Sequence, residues 1–144
     1  MVIYMFNSLP DDIINYIYEF ADPEITWVQT KIQNLNVNDS GWIMSENKHN
    51  ERPTHKLHCL NILRAMKEIP LIVIPAKTVT MSSYGLKHDL EYHRHLIKSP
   101  DYYISNGEFI CSMILLGFKY KKPDSLNVSF YVKKNKSSAV WSRY

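Results

Sequence analysis

Residues 106–117, "NGEFICSMILLG", constrain the fold of this chain more than any other stretch. They read as a helix from Asn106 to Leu116 that is apolar on nearly every side, with Gly117 placed for a left-handed cap. A helix without a polar face has to be enclosed by other elements, so this one is a core helix. Asn106 or Ser105 caps its start. It offers no side chains with which to read bases.

The second constraint is "SLNVSFYVKK", residues 125–134. Leu126, Val128, Phe130 and Val132 fall on one side and Asn127, Ser129 and Tyr131 on the other, the alternation of a half-buried strand. Upstream the periodicity is helical. Ser8, Pro10, Asp11 and Asp12 form a helix start, followed by an apolar stripe of Ile13, Ile14, Ile17 and Phe20. Asp22-Pro23-Glu24 opens a second helix, with Ile25, Val28, Ile32 and Leu35 as its stripe and Trp27 alongside.

Residues 36–53 are rich in Asn, Asp, Ser and Gly and read as a long loop that Trp42 and Ile43 pin to the core. Thr54 starts a third helix to Glu68, with Leu57, Leu60, Leu63 and Met66 inward and Pro70 as its stop. "LIVIPAKTV" follows as a short β segment that Pro75 places at an edge or ends. The fourth helix runs from Ser83 to Lys98, with Leu86, Leu90, His93 and Ile97 on one face. The expected fold is α+β and mainly α, one domain of about five helices and two or three short strands.

An apolar fraction of 45% and a charged fraction of 22% are those of a globular chain. No apolar run approaches the roughly 20 residues of a membrane span, and the start lacks the basic region of a signal peptide. Cys59 and Cys111 stand far apart in apolar helical contexts and read as buried free thiols, which places the chain in an intracellular, reducing compartment.

Charge divides the chain. Residues 1–76 hold 6 Lys/Arg against 9 Asp/Glu, a helical half of −3; residues 77–144 hold 11 against 5, a helix–helix–strand half of +6. The basic half points to an anionic partner, nucleic acid or an acidic protein surface. Lys87, Arg94 and Lys98 share the outward face of the fourth helix, Lys119, Lys121 and Lys122 follow the fifth, and Lys133, Lys134 and Lys136 end the strand. Tyr102, Tyr103, Tyr120 and Tyr131 interleave with them, the mixture used for phosphate contact and base stacking. The fourth and fifth helices resemble a loose helix-turn-helix pair. Because the second member is a core helix, contact with nucleic acid is expected to be to the backbone, with little sequence specificity.

Catalytic and metal chemistry are not expected. His55 and Cys59 lie four apart on one helix face, half of a zinc site, but no spacing brings His88, His93 or His95 to them, and there is no CxxC or HExxH. Ser82 and Ser83 read as helix-start residues, and Asp89 and Glu91, two apart, point to different sides of a helix.

The stretch "LPDDIINYIYEF" resembles the start of an F-box, which implies docking on the Skp adaptor of ubiquitin ligases through Leu9, Pro10, Ile13, Ile17 and Phe20. It also resembles N-terminal helices that recur in proteins of large DNA viruses of algae and amoebae. Residues 82–132 are similar to small uncharacterised proteins of large DNA viruses and tailed phages that share a "YGLKH…E…YISNGEFI…GF…N…F" pattern. That resemblance implies a viral setting, in the host cytoplasm or nucleus or packaged in the virion, and no activity. The sequence therefore leads to a non-enzymatic viral accessory protein without a cofactor. Its partner is nucleic acid, bound through Lys87, Arg94, Lys98, Lys119, Lys121, Lys122, Lys133 and Lys134, or alternatively another viral or host protein.

Overall fold

The structure, a computed structural model, describes residues 22–44 and 57–143. The helix expected over residues 8–20, with Leu9, Pro10, Ile13, Ile17 and Phe20, lies outside the described residues, as does His55. In chain order the elements are α1 (Pro23–Ile32), β1 (Val37–Asn38), β2 (Gly41–Trp42), α2 (Cys59–Ile72), β3 (Val73–Pro75), β4 (Met81–Ser82), α3 (Ser83–Leu96), α4 (Asn106–Leu115), β5 (Ser129–Phe130) and β6 (Val132–Lys134). A 3-10 turn over Ala139–Arg143 follows, and Trp141 there donates its indole N–H to the Ile72 C=O at 2.8 Å. The fold is α+β and mainly helical, with three two-stranded antiparallel ladders, β1–β2, β3–β6 and β4–β5.

Helix α4 is enclosed as its composition demands, every residue from Asn106 to Met113 being buried. Its start is a capping box, in which Ser105 Oγ accepts the Glu108 N–H and Glu108 Oε1 accepts the Ser105 N–H, both at 3.0 Å. At its end Gly117, at φ 88°, donates its N–H to the Ile114 C=O while the Phe118 N–H reaches the Met113 C=O. That is the Schellman turn the glycine forecast. Around α4 pack α2, with Ile62, Ala65 and Ile69 buried, and α3, with Leu86 and Leu90 buried, while α1 packs on α2 with Ile25, Val28 and Ile32 buried. Full burial of side chains of this size contributes about 1.5–3 kcal/mol each.

Three expectations are corrected. Helix α2 begins at Cys59 rather than Thr54 and runs through Pro70 to Ile72. Pro70 stands exposed in the last turn, where its missing N–H costs one bond, and the Val73 N–H still closes on the Ile69 C=O. The inward stripe of α2 is Cys59, Ile62, Ala65, Ile69 and Ile72, while Leu60, Leu63 and Met66 are half-buried at its margin. Leu71 and Ile72 accordingly belong to the helix, and only Val73–Pro75 is strand.

The loop from residue 36 contains a hairpin, β1–β2, turned by Asp39 and Ser40. Asn38 Oδ1 accepts the N–H groups of Ser40 and Gly41, so the Asn that suggests a loop is what tightens the turn. The hairpin sits against the start of α4, with the Gly107 N–H donating to the Asp39 C=O. In α3, finally, His93 is half-buried and Ile97 exposed, because the buried face runs through Leu86, Lys87, Asp89, Leu90 and Arg94.

The hairpin leaves no room at Gly107, where a Cβ would lie 1.7 Å from the Asn38 carbonyl oxygen. Gly107→Ala is therefore expected to lower stability by about 3 kcal/mol or more, read by urea unfolding. Lys98 occupies the left-handed position of a second Schellman turn, at φ 57° after α3, where an L side chain is strained. Lys98→Gly is expected to raise stability by about 0.5–1 kcal/mol in the same assay.

Candidate nucleic-acid interface

Two of the expected binding cations are inside the protein. Arg94 is fully buried and Lys87 is 8% exposed. The Arg94 guanidinium donates through Nε to Glu68 Oε1 at 2.8 Å, with Nη2 also 2.8 Å from that oxygen, and through Nη1 to Asn61 Oδ1 and the Tyr103 C=O. Burial pushes its pKa below the ordinary guanidinium value, against the pull of Glu68. Lys87 Nζ donates to the Ile104 C=O at 3.0 Å and to Glu91, and lies 5.1 Å from the Tyr103 ring centre.

These groups form one clamp on the irregular backbone between α3 and α4. Arg64 donates to the Asp101 C=O and to Ser99 Oγ. Glu91 Oε2 accepts the Ile104 N–H, and Asn61 Nδ2 donates to both the Tyr103 C=O and Glu108 Oε1. Lys87 and Arg94 are thus occupied in satisfying buried peptide groups, which would otherwise cost about 1–3 kcal/mol each. Lys98 is exposed, but it lies past the far end of α3, whose 14 residues span about 21 Å from β4.

The remaining lysines converge through the C-terminal strand. Phe130 pairs with Met81 on β4 and also bridges to Tyr120, so residues 119–121 form an added strand-like segment. The Lys121 N–H donates to the Ser129 C=O and the Tyr131 N–H to the Lys119 C=O, while the Ala76 N–H reaches the Tyr131 C=O. Residues opposite one another in such pairs share a face. Val128, Phe130 and Val132 are fully buried, and Tyr120, 37% exposed, lies over them with its ring 5.7 Å from Phe130 and 6.1 Å from Trp42.

The opposite face therefore carries Tyr131 with Lys119 beside it, Ser129 with Lys121, and Lys133 with Ile74. Lys122 is exposed next to Lys121 in the chain. Lys134 falls on the other side of the strand, paired with buried Val73 and 5.2 Å from the Trp141 ring centre. Among the described residues no carboxylate pairs with Lys77, Lys119, Lys121, Lys122 or Lys133.

Beside this face opens a cleft of about 670 Å³ lined by Pro75, Lys77, Leu116, Phe118, Lys119 and Tyr131. Lys77 is the residue that sequence reasoning missed. Its signal was its place two residues after Pro75, where the β segment ends.

The groups considered for other chemistry are engaged elsewhere. Ser83 is buried and its Oγ accepts the Val128 N–H at 3.0 Å. His88 lies 3.0 Å from Glu91 and edge-on to Tyr84, His95 edge-on to Tyr102, and His58 Nδ1 3.3 Å from Glu108. Among the described residues no three His, Cys, Asp or Glu converge on a metal position, and no helix is long and apolar enough to cross a membrane. Both cysteines are buried, and desolvation pushes the Cys111 thiol up to about 12. Comparison with protein-family models, with curated proteins and with solved structures finds no match.

Two outcomes follow from the clamp and the thiols. Arg94→Met is expected to lower stability by about 3 kcal/mol, because it leaves Glu68 only the longer contact with Arg64 at 3.6 Å and takes a donor from the Tyr103 C=O, and to speed amide exchange across residues 99–105. With its pKa raised, Cys111 stays a thiol at pH 8. Mass spectrometry after iodoacetamide treatment of the native protein should find it unmodified, and denaturant should expose it to alkylation.

Proposed function

We propose that this protein is a non-enzymatic accessory protein of a large DNA virus that associates with nucleic acid through the outer face of its C-terminal sheet, largely regardless of sequence. The observation that carries this reading is the strand register. Pairing around Phe130 supports a shared outer side for Lys119 and Lys121, Lys77 lines the same cleft as Lys119, and Lys133 is exposed on the next ladder, without carboxylates among the described residues to neutralise them. Such a surface attracts phosphates and releases their counterions. Lysines on short surface strands contact backbone, and α4, the expected second member of a helix-turn-helix pair, is enclosed in the core, so base edges are not read. The viral setting rests on the resemblance of residues 82–132.

A second reading, as a minor virion component held by another protein, is favoured by exposed apolar side chains where α3 ends, whereas an F-box-like adaptor would act through residues 8–20, outside the described residues. Leu96 is 41%, Ile97 57% and Tyr102 53% exposed. Co-purification of a second polypeptide from infected cells, lost in Ile97→Asp, would put that reading ahead.

The test of the first reading is fluorescence anisotropy with labelled single- and double-stranded oligonucleotides at about 50 and 200 mM salt. Four phosphate-bound lysines give a log–log salt slope of about −3 to −4. Each of Lys119→Ala, Lys121→Ala and Lys133→Ala should reduce that slope by about 1. An absence of binding at the lower salt would refute the reading.

A further inference from the structure

Of the features of the nucleic-acid face, the cleft beside it has both a defined size and a defined polarity. Its volume, about 670 Å³, lies in the range of small-ligand sites. Two lysines, Lys77 and Lys119, belong to a largely apolar lining that includes Pro75, Leu116, Phe118 and Tyr131. Two exposed lysines beside two half-buried aromatic residues suit a ligand that carries both anionic groups and an aromatic ring.

The helix that ends at the cleft decides which part of such a ligand goes where. Leu116, Gly117 and Phe118 are the C-terminal cap of α4, and the carbonyl end of a helix carries negative partial charge. A phosphate inside the cleft would meet that charge and an apolar lining. A neutral base would not, and it would bury its ring against Tyr131 and Phe118. The phosphates on either side of it would then fall to Lys77 and Lys119, and the strand would continue past Lys121 and Lys133 on the same face.

We propose that the cleft takes one unstacked base of a single strand, so that the nucleic acid bound is single-stranded rather than duplex. This inference rests on the nucleic-acid reading above and deepens it. In a duplex the bases are paired and stacked, and none reaches a pocket without being extruded. Single-strand binders combine this kind of lysine track with aromatic side chains on which bases stack, and do so with little sequence preference.

The test compares a fluorescein-labelled dT-rich single strand with a duplex of equal length at about 50 mM salt, using the full chain. The expected result is tighter binding of the single strand by about tenfold or more. Tyr131→Ala should reduce single-strand affinity about 5- to 100-fold, the worth of one stacked base, and bring the two affinities together. Tyr131→Phe keeps the ring and should restore the preference. Tyr131→Leu, which retains an apolar side chain, should fail to restore it if stacking is the cause. Circular dichroism and thermal melting confirm that each variant is folded. Equal affinity for both forms in the unmodified protein, or a preference that survives in Tyr131→Ala and Tyr131→Leu, overturns the cleft assignment while leaving the basic face intact. Failure to bind either form overturns both.

Discussion

The carboxylate of Glu108 holds the helical part of the molecule together. Its Oε1 accepts the Ser105 N–H that opens α4 and the amide of Asn61, and its Oε2 accepts the His58 N–H at the start of α2 at 2.7 Å. One side chain, 1% exposed, thus serves the first turns of the two helices that pack most closely in the core. Both helix ends bring positive partial charge to it, which is how a carboxylate is tolerated so deep. Asn61 then passes the connection to Arg94 and the Tyr103 carbonyl, so the irregular chain between α3 and α4 is fixed by the same group that fixes the helices.

The consequence is a division of labour among the cations. Lys87 and Arg94 face inward and, with half-buried Arg64, satisfy the carbonyl groups of Asp101, Tyr103 and Ile104, where no regular element could. Lys77, Lys119, Lys121 and Lys133 face outward because the strand they flank alternates, and its inner positions are filled by Val128, Phe130 and Val132. The same period-two rule that buries three apolar residues gathers the lysines. The bend at Tyr131, which donates to Lys119 and accepts from Ala76, lets a single strand serve partners at 73–75, 81–82 and 119–121.

What was legible in the sequence was whatever is decided locally. The enclosure of α4, its Ser105 cap, the glycine at 117 and the alternation from Leu126 to Val132 each follow from a few adjacent residues. Asp22 likewise caps α1, accepting the Glu24 N–H. The reading failed where a distant partner decides. Lys87, Arg94 and Lys98 recur at a helical period and look like a solvated stripe, yet Arg94 is turned inward by Glu68 and by a carbonyl of Tyr103. Glu91, four residues after Lys87, was the one local hint of an internal pair. The hairpin at 37–42 was hidden because the Asn, Asp, Ser and Gly that make its turn are also loop residues. In α2 a nearly continuous apolar sequence gave more than one plausible inward face, and the neighbours on several sides chose among them.

The C-terminal strand also imposes an order of events. A ribosome delivers residues 73–82 roughly 50 residues before their partners at 129–134, an interval of about 2–10 s at ordinary elongation rates. During that interval α3 and α4 are themselves being delivered, and the edges at Val73–Pro75 and Met81–Ser82 have nothing to pair with. Ile74 and Val79, exposed even in the finished protein, belong to this waiting segment, so the nascent chain passes through a window in which an open apolar edge is available to other chains. The lysine surface does not exist until that window closes.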